Sequence, residues 1–303
     1  MITNYSISQI KKNTDIKNIF KNAKLNNLDI SCNILNANFT LDSFNYFPIY
    51  ENEYTFKDLY KRNQSIEHFY SKSFYQNYKS ELEKMKNFNN IFLLGSNPAD
   101  NYYSNLIEFL PRLFFNKDKN IKIAIHRNLS NKFRKFIKKI SSFSEINFSF
   151  VYLDDNFYQF NNSNFPQFLS LEKSIKILKN FLKPSFNSQL DKKIFITRGD
   201  SVYRKIINEA DLISVLKSKG YKIINPQHYE IEEQIQIFSN AEKIISPSGS
   251  NLTNIIFCKP GTELIEICPR LNEKHENYLI KRYQILAELN KLNYKRIYVD
   301  SID

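Results

Sequence analysis

Short apolar runs alternate twice with amphipathic helical segments, and this alternation constrains the fold more than any other feature of the chain. The first series lies in residues 91–153, where the runs IFLLG, IKIAIH and INFSFVYL enclose two segments with apolar residues at helical spacing. The second series lies in residues 193–299, with the runs KIFIT, YKIIN, KIISP, ELIEI and KRIYV. Strands that alternate with helices are typical of parallel sheets covered by helices. The sequence therefore predicts an α/β protein with two Rossmann-like parallel-sheet domains.

A polar and aromatic stretch separates the two series. Residues 154–170 contain Pro166 and several asparagines, and they interrupt the alternation. A chain of 303 residues is long enough for two domains. We therefore expect an N-terminal domain over residues 1–165 and a C-terminal domain over residues 166–303. Such sheets bind ligands beyond the carboxyl ends of their strands, so two of them facing each other would form a binding cleft.

Several common classes of protein are excluded by composition. The five glycines form neither G-x-x-x-x-G-K-[ST] nor G-x-G-x-x-G, the two best-known nucleotide-binding loops. The three cysteines form no C-x-x-C pair, which fits buried thiols in a reducing compartment. The first residues show no signal peptide, and no stretch approaches the roughly 20 apolar residues of a membrane-spanning helix. We expect a soluble, cytoplasmic protein.

Positive charge is concentrated near the middle of the first series. The first 150 residues hold 22 Lys and Arg against 13 Asp and Glu, whereas residues 151–303 hold 21 against 18. Residues 119–139 hold eight basic residues and no acid, and Phe133, Phe136 and Ile137 lie among them at helical spacing. The cations then form either a solvated helix face or a binding surface for an anionic partner, such as a membrane leaflet or a phosphorylated glycolipid. No nucleic-acid-binding motif is present, so we expect no nucleic acid partner.

Two strand ends of the second series carry residues suited to a phosphate group. KIFIT ends at Arg198, with Arg204 six residues beyond it, and KIISP runs into a turn directly ahead of a helix. That turn consists of Ser248, Gly249, Ser250 and Asn251. Free N–H groups at a helix start attract anions, and an arginine can bind a diphosphate through two hydrogen bonds. The same pattern also occurs in strand–turn–helix junctions that bind nothing.

The second series resembles the C-terminal half of glycosyltransferase family 61. That family's pattern is roughly I-x-R, R-x-I-x-N-E, an E-Q-[IV] helix, H-G-A-x-L-x-N-x-x-F, P-G-[ST] and an E-[IL] strand. The matching residues are Arg198, Arg204, Asn208, Glu209, Glu233, Gln234, Gly249, Leu252, Asn254, Phe257, Pro260, Gly261 and Glu266. Upstream, the segment NYYSNLIEFLPRL at residues 101–113 resembles the family's N-Y-x-H-W-x-x-E-x-L-P-R.

The resemblance implies a GT-B fold, a sugar-nucleotide donor and metal-independent transfer with inversion of the anomeric centre. No cofactor is implied beyond this nucleotide-sugar co-substrate. The implied acceptor is a glycan or glycolipid of cell-surface polysaccharide or lipooligosaccharide synthesis, which would place the enzyme peripherally at the inner face of the membrane. Ser104 and Asn105 stand where the family has His-Trp, and Ser248 stands where it has His. We therefore expect acceptor binding and the catalytic base to differ from the family pattern.

The implied chemistry assigns a role to each donor-side residue. A departing nucleotide diphosphate needs positive charge, which GT-B enzymes supply from side chains and helix ends. We expect this charge to come from Arg198, Arg204 and the amides of residues 249–251. Glu266, an acid within an apolar strand, is expected to contact the donor's ribose or base, or to pair with a nearby basic side chain. Asn254 is expected to contact the donor or to cap a helix.

The base that accepts the acceptor's proton is expected from the first domain. Asp100 and His126 both lie at strand carboxyl ends there, and both are candidates. The sequence Asp154-Asp155-Asn156 does not follow the D-x-D spacing of GT-A metal sites, and we expect no metal. Two alternatives stay open at this point: another two-domain sugar-nucleotide enzyme such as an epimerase, and a non-catalytic basic module that binds a polyanion.

Overall fold

A computed structural model describes residues 19–50, 59, 80–143, 146–183, 190–198, 206–270 and 281–300 of the chain. The chain divides into two compact units, Met1–Ile177 and Leu178–Asp303. The expected domain boundary at residues 165–166 falls at the end of a strand of the first unit.

Among the described residues, the first unit contains one sheet of eight strands. They are β1 (Phe20–Leu25), β2 (Ile30–Asp42), β3 (Phe47–Tyr50), β4 (Lys86–Asn89), β5 (Ile91–Leu93), β6 (Asn120–His126), β7 (Asn147–Leu153) and β8 (Phe157–Pro166). The order is β1-β2-β8-β5-β6-β7, while β3 pairs with β2 and β4 pairs with β8. Strands β5, β6 and β7 pair in parallel, as expected, and β4 and β8 extend this parallel arrangement. The prediction of a wholly parallel sheet is wrong for this unit, because β2 pairs antiparallel with β1, β3 and β8.

The stretch that was expected to break the alternation forms β8, the central strand of this sheet. Its apolar side chains Tyr158, Phe160 and Phe165 are buried. Its asparagines are accommodated by pairing, since Asn164 Oδ1 accepts a hydrogen bond of 2.8 Å from Asn36 Nδ2 on β2. A strand that lies inside a mixed sheet can therefore carry amides that resemble a loop in the sequence.

Helical segments follow the parallel strands of the first unit. A π-helix (Ser104–Phe109) and a 3-10 helix (Leu110–Phe115) connect β5 to β6, and α1 (Asn131–Phe143) connects β6 to β7. The apolar residues of α1 that were expected to face the core are buried, which confirms that prediction. The helix α2 (Leu171–Phe181) follows β8.

Arg112 fixes two strand ends from inside the first unit. Its side chain is fully buried, Nη1 donates to the carbonyl of Leu94 at 2.6 Å, and Nε and Nη2 donate to that of Pro166 at 2.9 and 2.5 Å. The rings of Phe165 and Phe168 lie 4.8 and 4.3 Å from its Cζ, close enough for cation–π attraction. This guanidinium therefore holds the ends of β5 and β8 together.

The second unit contains the predicted parallel sheet. Its strands are β9 (Lys193–Ile196), β10 (Lys222–Ile224), β11 (Lys243–Pro247), β12 (Glu263–Pro269) and β13 (Asn293–Val299), in the order β10-β9-β11-β12-β13. The connecting helices are α3 (Glu209–Ser218), α4 (Ile231–Asn240), a 3-10 helix (Ser250–Phe257) and α5 (Lys281–Leu289). Every strand pair is parallel, as expected from the alternation. Throughout the described ranges, each helix is too short or too polar to cross a membrane.

Candidate active site

Arg198 and the turn at Ser248 meet because their strands are neighbours. Strands β9 and β11 pair in parallel, so their carboxyl ends lie side by side. Arg198 follows β9, and its Nη1 donates to the carbonyl oxygen of Ser248 at 2.8 Å. Ser248 follows β11, is buried, and donates its own N–H to the carbonyl oxygen of Ile267 on β12. The two elements predicted to bind phosphate are thus in direct contact.

Gly249 leaves the space that the guanidinium occupies. Its backbone is extended, with φ of 175°, so the conformation itself does not require glycine. A Cβ atom at this position would overlap Nη1 of Arg198 and would lie 2.9 Å from its Cζ. Glycine is therefore needed here for the close approach of the arginine rather than for its φ angle.

Family-pattern residues behind this contact hold it in place. Glu209, at the start of α3, accepts a hydrogen bond of 3.2 Å from the backbone N–H of Arg198. The fully buried Asn254 donates to Gln234 Oε1 at 3.1 Å, and Gln234 donates to the carbonyl oxygens of Pro226 and Tyr229. Asn254 therefore ties the 3-10 helix to α4.

Three further members of the predicted donor-binding set lie at the start of the 3-10 helix or outside the described residues. Ser250 and Asn251 begin the 3-10 helix and are half-buried. Arg204 lies outside the described residues, so the structure gives no account of its position. The described part of the site therefore combines Arg198 with the start of the 3-10 helix.

Glu266 lies inside the second unit rather than on its surface. Its side chain is fully buried, and Oε2 accepts hydrogen bonds from Tyr294 Oη at 2.5 Å and Arg296 Nη2 at 3.2 Å. Burial, followed by the hydrogen bond to Glu266, raises the pKa of the Tyr294 hydroxyl above its ordinary value. Oε1 of Glu266 has no hydrogen-bond partner among the described residues. Glu266 is thus bound within the protein by two side chains of β13.

In the first unit, the carboxyl ends of β5, β6 and β7 form a second cluster. Gly95 follows β5 with φ of +74°, and a Cβ atom there would overlap the ring of Tyr46. Ser96 comes next, and its hydroxyl accepts a hydrogen bond of 2.9 Å from the backbone N–H of His126 at the end of β6. His126 pairs with Leu153 in the β6–β7 register, so the acids that follow β7 lie beside it.

Both ring nitrogens of His126 are engaged within the protein. The backbone N–H of Asn128 donates to Nδ1 at 3.2 Å, and Nε2 lies 2.8 Å from Oδ1 of Asp155. Because Nδ1 accepts a hydrogen bond, the neutral ring carries its proton on Nε2 and donates it to Asp155. His126 is only 3% exposed, whereas Asp155 is 52% exposed. The histidine therefore orients a carboxylate that faces solvent.

Asp100 is held at the start of α1 by two partners. Asn105 Nδ2 donates to Asp100 Oδ1 at 2.8 Å, while Asn105 Oδ1 accepts from the backbone N–H of Asn97 at 2.8 Å. The backbone N–H and hydroxyl of Ser130 also donate to the Asp100 carboxylate. Burial raises the pKa of this carboxyl above its ordinary value, and the hydrogen bonds from Ser130 and Asn105 oppose the rise. A carboxyl with a raised pKa at a strand end is suited to accept a proton.

The acids after β7 are paired with side chains at the end of β6 and directly after it. Asp154 Oδ1 lies 2.9 Å from Arg127 Nε, and Asp155 is bound to His126. Within the part of the chain that the structure describes, no group of three or more His, Cys, Asp or Glu is placed to hold a metal ion.

The family follows from comparison with known proteins. Residues 102–265 match the family model for glycosyltransferase 61, which is more than half of the 303 residues. The chain belongs to glycosyltransferase family 61. The resemblance seen in the sequence is therefore confirmed, and as a member of family 61 the chain is a glycosyltransferase with a donor and an acceptor. The comparison with curated proteins found no match.

The structure also shows partners that the sequence did not indicate. Asn105 stands at the position of the family's tryptophan and binds Asp100. Glu209 accepts a hydrogen bond from the backbone N–H of Arg198. Asp155 was considered only as part of a metal motif, and it pairs with His126. Asp155 follows β7, and His126 ends β6. The parallel pairing of these two strands was the signal that could have predicted this contact, because neighbouring parallel strands end at the same edge of the sheet.

Proposed function

We propose that this family 61 chain is an inverting glycosyltransferase of GT-B type. It would transfer a sugar from a nucleotide-sugar donor to a glycan or glycolipid acceptor in cell-surface polysaccharide or lipooligosaccharide synthesis. The observation that carries the proposal is the contact of the Arg198 guanidinium with the backbone at Ser248, at the ends of adjacent parallel strands. This is the edge at which parallel α/β sheets bind ligands.

The second unit is the donor side in this proposal. The Arg198 guanidinium and the amides of residues 249–251 would bind the diphosphate, and Arg204 would add a second cation. Positive groups fixed before the reaction stabilise the charge that develops on the leaving group. We propose that these groups stabilise the negative charge of the leaving diphosphate without a divalent ion. Transfer should therefore be insensitive to EDTA.

The reaction itself is a single displacement. The acceptor oxygen forms a bond to the anomeric carbon while the bond from that carbon to the diphosphate oxygen breaks. The electron pair leaves with the nucleotide diphosphate, and the base takes the acceptor's proton. Attack from the side opposite the leaving group inverts the anomeric centre.

Asp100 is the base that the geometry supports best. Its carboxyl is half-buried, and its pKa is raised above the ordinary value by burial. His126, the other candidate, has both ring nitrogens bound within the protein. We propose that His126 acts on the acceptor only through Asp155, whose orientation it fixes.

Nucleotide binding tests this proposal before any acceptor is known. The melting temperature of the protein is measured with UDP, GDP and CMP compounds in turn. A ligand present at about 100 times its Kd adds about 2.7 kcal/mol to stability, so one nucleotide should raise the melting temperature by several degrees. The rise should disappear in Arg198→Ala. No rise with any of these nucleotides, together with salt-sensitive retention on heparin, would support a polyanion-binding module instead.

A further inference from the structure

The last strand of the first sheet carries a row of partly exposed aromatic rings. Strand β7 ends the strand order, and among the described residues its hydrogen-bonded neighbour is β6. Phe148, Phe150 and Tyr152 project from one side of β7, with ring centroids 5.0 Å and 6.0 Å apart along the row. Two of the rings are half-buried, and Tyr152 is 41% exposed. The row therefore offers apolar surface at the edge of the sheet.

The helix beside this row presents only positive charge to solvent. The polar side of α1 carries Lys132, Arg134, Lys135, Lys138 and Lys139, and the helix contains no acid. The Cζ of Arg134 lies 4.7 Å from the centre of the Tyr152 ring, and the Nζ of Lys138 lies 6.0 Å from that of Phe150. The cations and the rings therefore form one continuous surface, which we call the α1–β7 face.

The acids that follow β7 offset little of the charge of the α1–β7 face. Asp154 is paired with Arg127, and Asp155, beside the neutral His126, adds one negative charge against the five cations of α1. The face also ends at the candidate site, because Ser130, directly ahead of α1, binds Asp100. A molecule held on the face would therefore lie close to the proposed base.

Charge complementarity selects the occupant of the face. A second copy of the chain would bring five cations against five cations, which disfavours a symmetric dimer. A soluble polyanion would match the cations but not the apolar row at the strand edge. An anionic bilayer matches both, because its surface attracts Lys and Arg while aromatic rings with a polar end lie among its headgroups.

We infer that the α1–β7 face docks the first unit on an anionic membrane surface. This inference deepens the proposed function, since it names the surface on which a glycolipid acceptor would be held, and it rests on that function for the acceptor alone. Docking would present the acceptor hydroxyl at the strand ends that carry Asp100 and Asp155.

Vesicle sedimentation tests the inference without donor or acceptor. The full chain is spun with vesicles of phosphatidylcholine alone and with vesicles in which about one lipid in three is phosphatidylglycerol. The protein should sediment with the second kind, and added salt should release it. Each cation near such a surface contributes about a fivefold change in partitioning, so Lys135→Gln with Lys139→Gln should weaken binding roughly 30-fold. Tyr152→Ser should weaken it roughly fivefold.

A matched double variant distinguishes binding through the α1–β7 face from a general effect of net charge. Lys217 and Lys219 are exposed on or next to α3 in the second unit, and changing both to Gln removes the same number of charges. This control should change partitioning by about twofold or less. Equal losses in the two double variants, or no sedimentation with anionic vesicles, would overturn the inference. So would a dimer that Tyr152→Ser converts to a monomer, because the face would then be an interface between copies. Nucleotide-induced stabilisation is measured separately, so a failure of docking leaves the test of the donor site intact.

Discussion

At the end of β11 in the second unit, a guanidinium rests on the backbone of a glycine-containing turn. At the ends of β5 to β7 in the first unit, the corresponding positions hold carboxylates, namely Asp100 with Asn105 and Asp155 with His126. Bulk charge would suggest the reverse. The first 150 residues hold 22 basic residues against 13 acids, whereas the rest of the chain is nearly balanced.

The difference shows that the charge of a site is set by a few residues at strand ends and not by the charge of the unit around it. The basic surplus of the first unit lies largely on α1, on the surface of the α1–β7 face. In the proposed function, the leaving diphosphate would take its cations from the second unit and the acceptor hydroxyl would take its base from the first. The following experiments test this division of roles.

The largest expected effect concerns Asp100, at the strand ends of the first unit. Asp100→Asn should lower kcat by about 10²–10⁴, the usual contribution of a general base. Asparagine tolerates the positive φ of 48° at this position, so the fold should be retained. In the wild type, the acidic limb of the pH–rate profile should lie above the ordinary carboxyl pKa, because burial raises the pKa of Asp100. The limb should vanish in the variant, while the nucleotide-induced rise in melting temperature persists.

A comparison with the histidine decides between the two candidates for the base. His126→Gln should shift the profile only modestly, since the ring is bound on both sides and, as proposed, would act only through Asp155. If the acidic limb survives in Asp100→Asn and disappears in His126→Gln, the base is misassigned.

A change at the strand ends of the second unit, where Arg198 lies, should abolish nucleotide-induced stabilisation, which Asp100→Asn should leave intact. Arg198→Ala should reduce transfer by about 10²–10³ and should abolish nucleotide-induced stabilisation, because the diphosphate loses its charged partner. The matched control is Lys217→Ala, which removes an exposed cation of the same unit. If Arg198→Ala binds the nucleotide as tightly as the wild type does, Arg198 only stabilises the turn.

A smaller but more specific effect is expected at the turn itself. Gly249→Ala should keep the fold, since the atom displaced is the far end of a flexible side chain, yet it should move the guanidinium off Ser248. We expect roughly a tenfold loss of transfer in the wild-type background. In the Arg198→Ala background the same change should have almost no effect. Additive losses would mean that Gly249 serves the donor independently of the arginine.

The smallest expected effect is on stability. A carboxyl whose pKa is raised in the folded state holds its proton longer there than in the unfolded chain, so stability declines as pH rises from the ordinary value through the raised one. Asp100→Asn should remove this decline, and its advantage in melting temperature should grow as the pH is raised above the ordinary carboxyl pKa of about 3.9. Asp42, whose pKa burial also raises, is present in both proteins and cancels in the difference. An advantage that shrinks with pH would contradict the assignment of the shift.

Much of the fold was predictable because its signal is local. Apolar runs such as IKIAIH and KIISP mark buried parallel strands, and each lies where the pattern indicated. Strand β8 was missed for the opposite reason. Its asparagines are satisfied by partners far away in the chain, as Asn164 is by Asn36, and no local pattern reports such a partner.

The candidate site shows the same limit. Strand ends identified Arg198, Gly249, Asp100 and His126, but not which of them touch. The contact of Glu209 with the Arg198 backbone and the burial of Glu266 against Tyr294 depend on three-dimensional packing. An acid in an apolar strand therefore indicated burial with partners as readily as it indicated a ligand contact.

The position of β8 in the sheet also bears on how the chain is made. Asn36 on β2 meets its partner on β8 only after 128 further residues have been synthesised, which takes roughly 6–26 s at about 5–20 residues per second. Until then, both β2 and β5 expose strand edges on the ribosome, and such edges readily pair with other chains. A nascent chain arrested before residue 157 should thus depend on chaperones, whereas one released after α2 carries every described strand of the first unit.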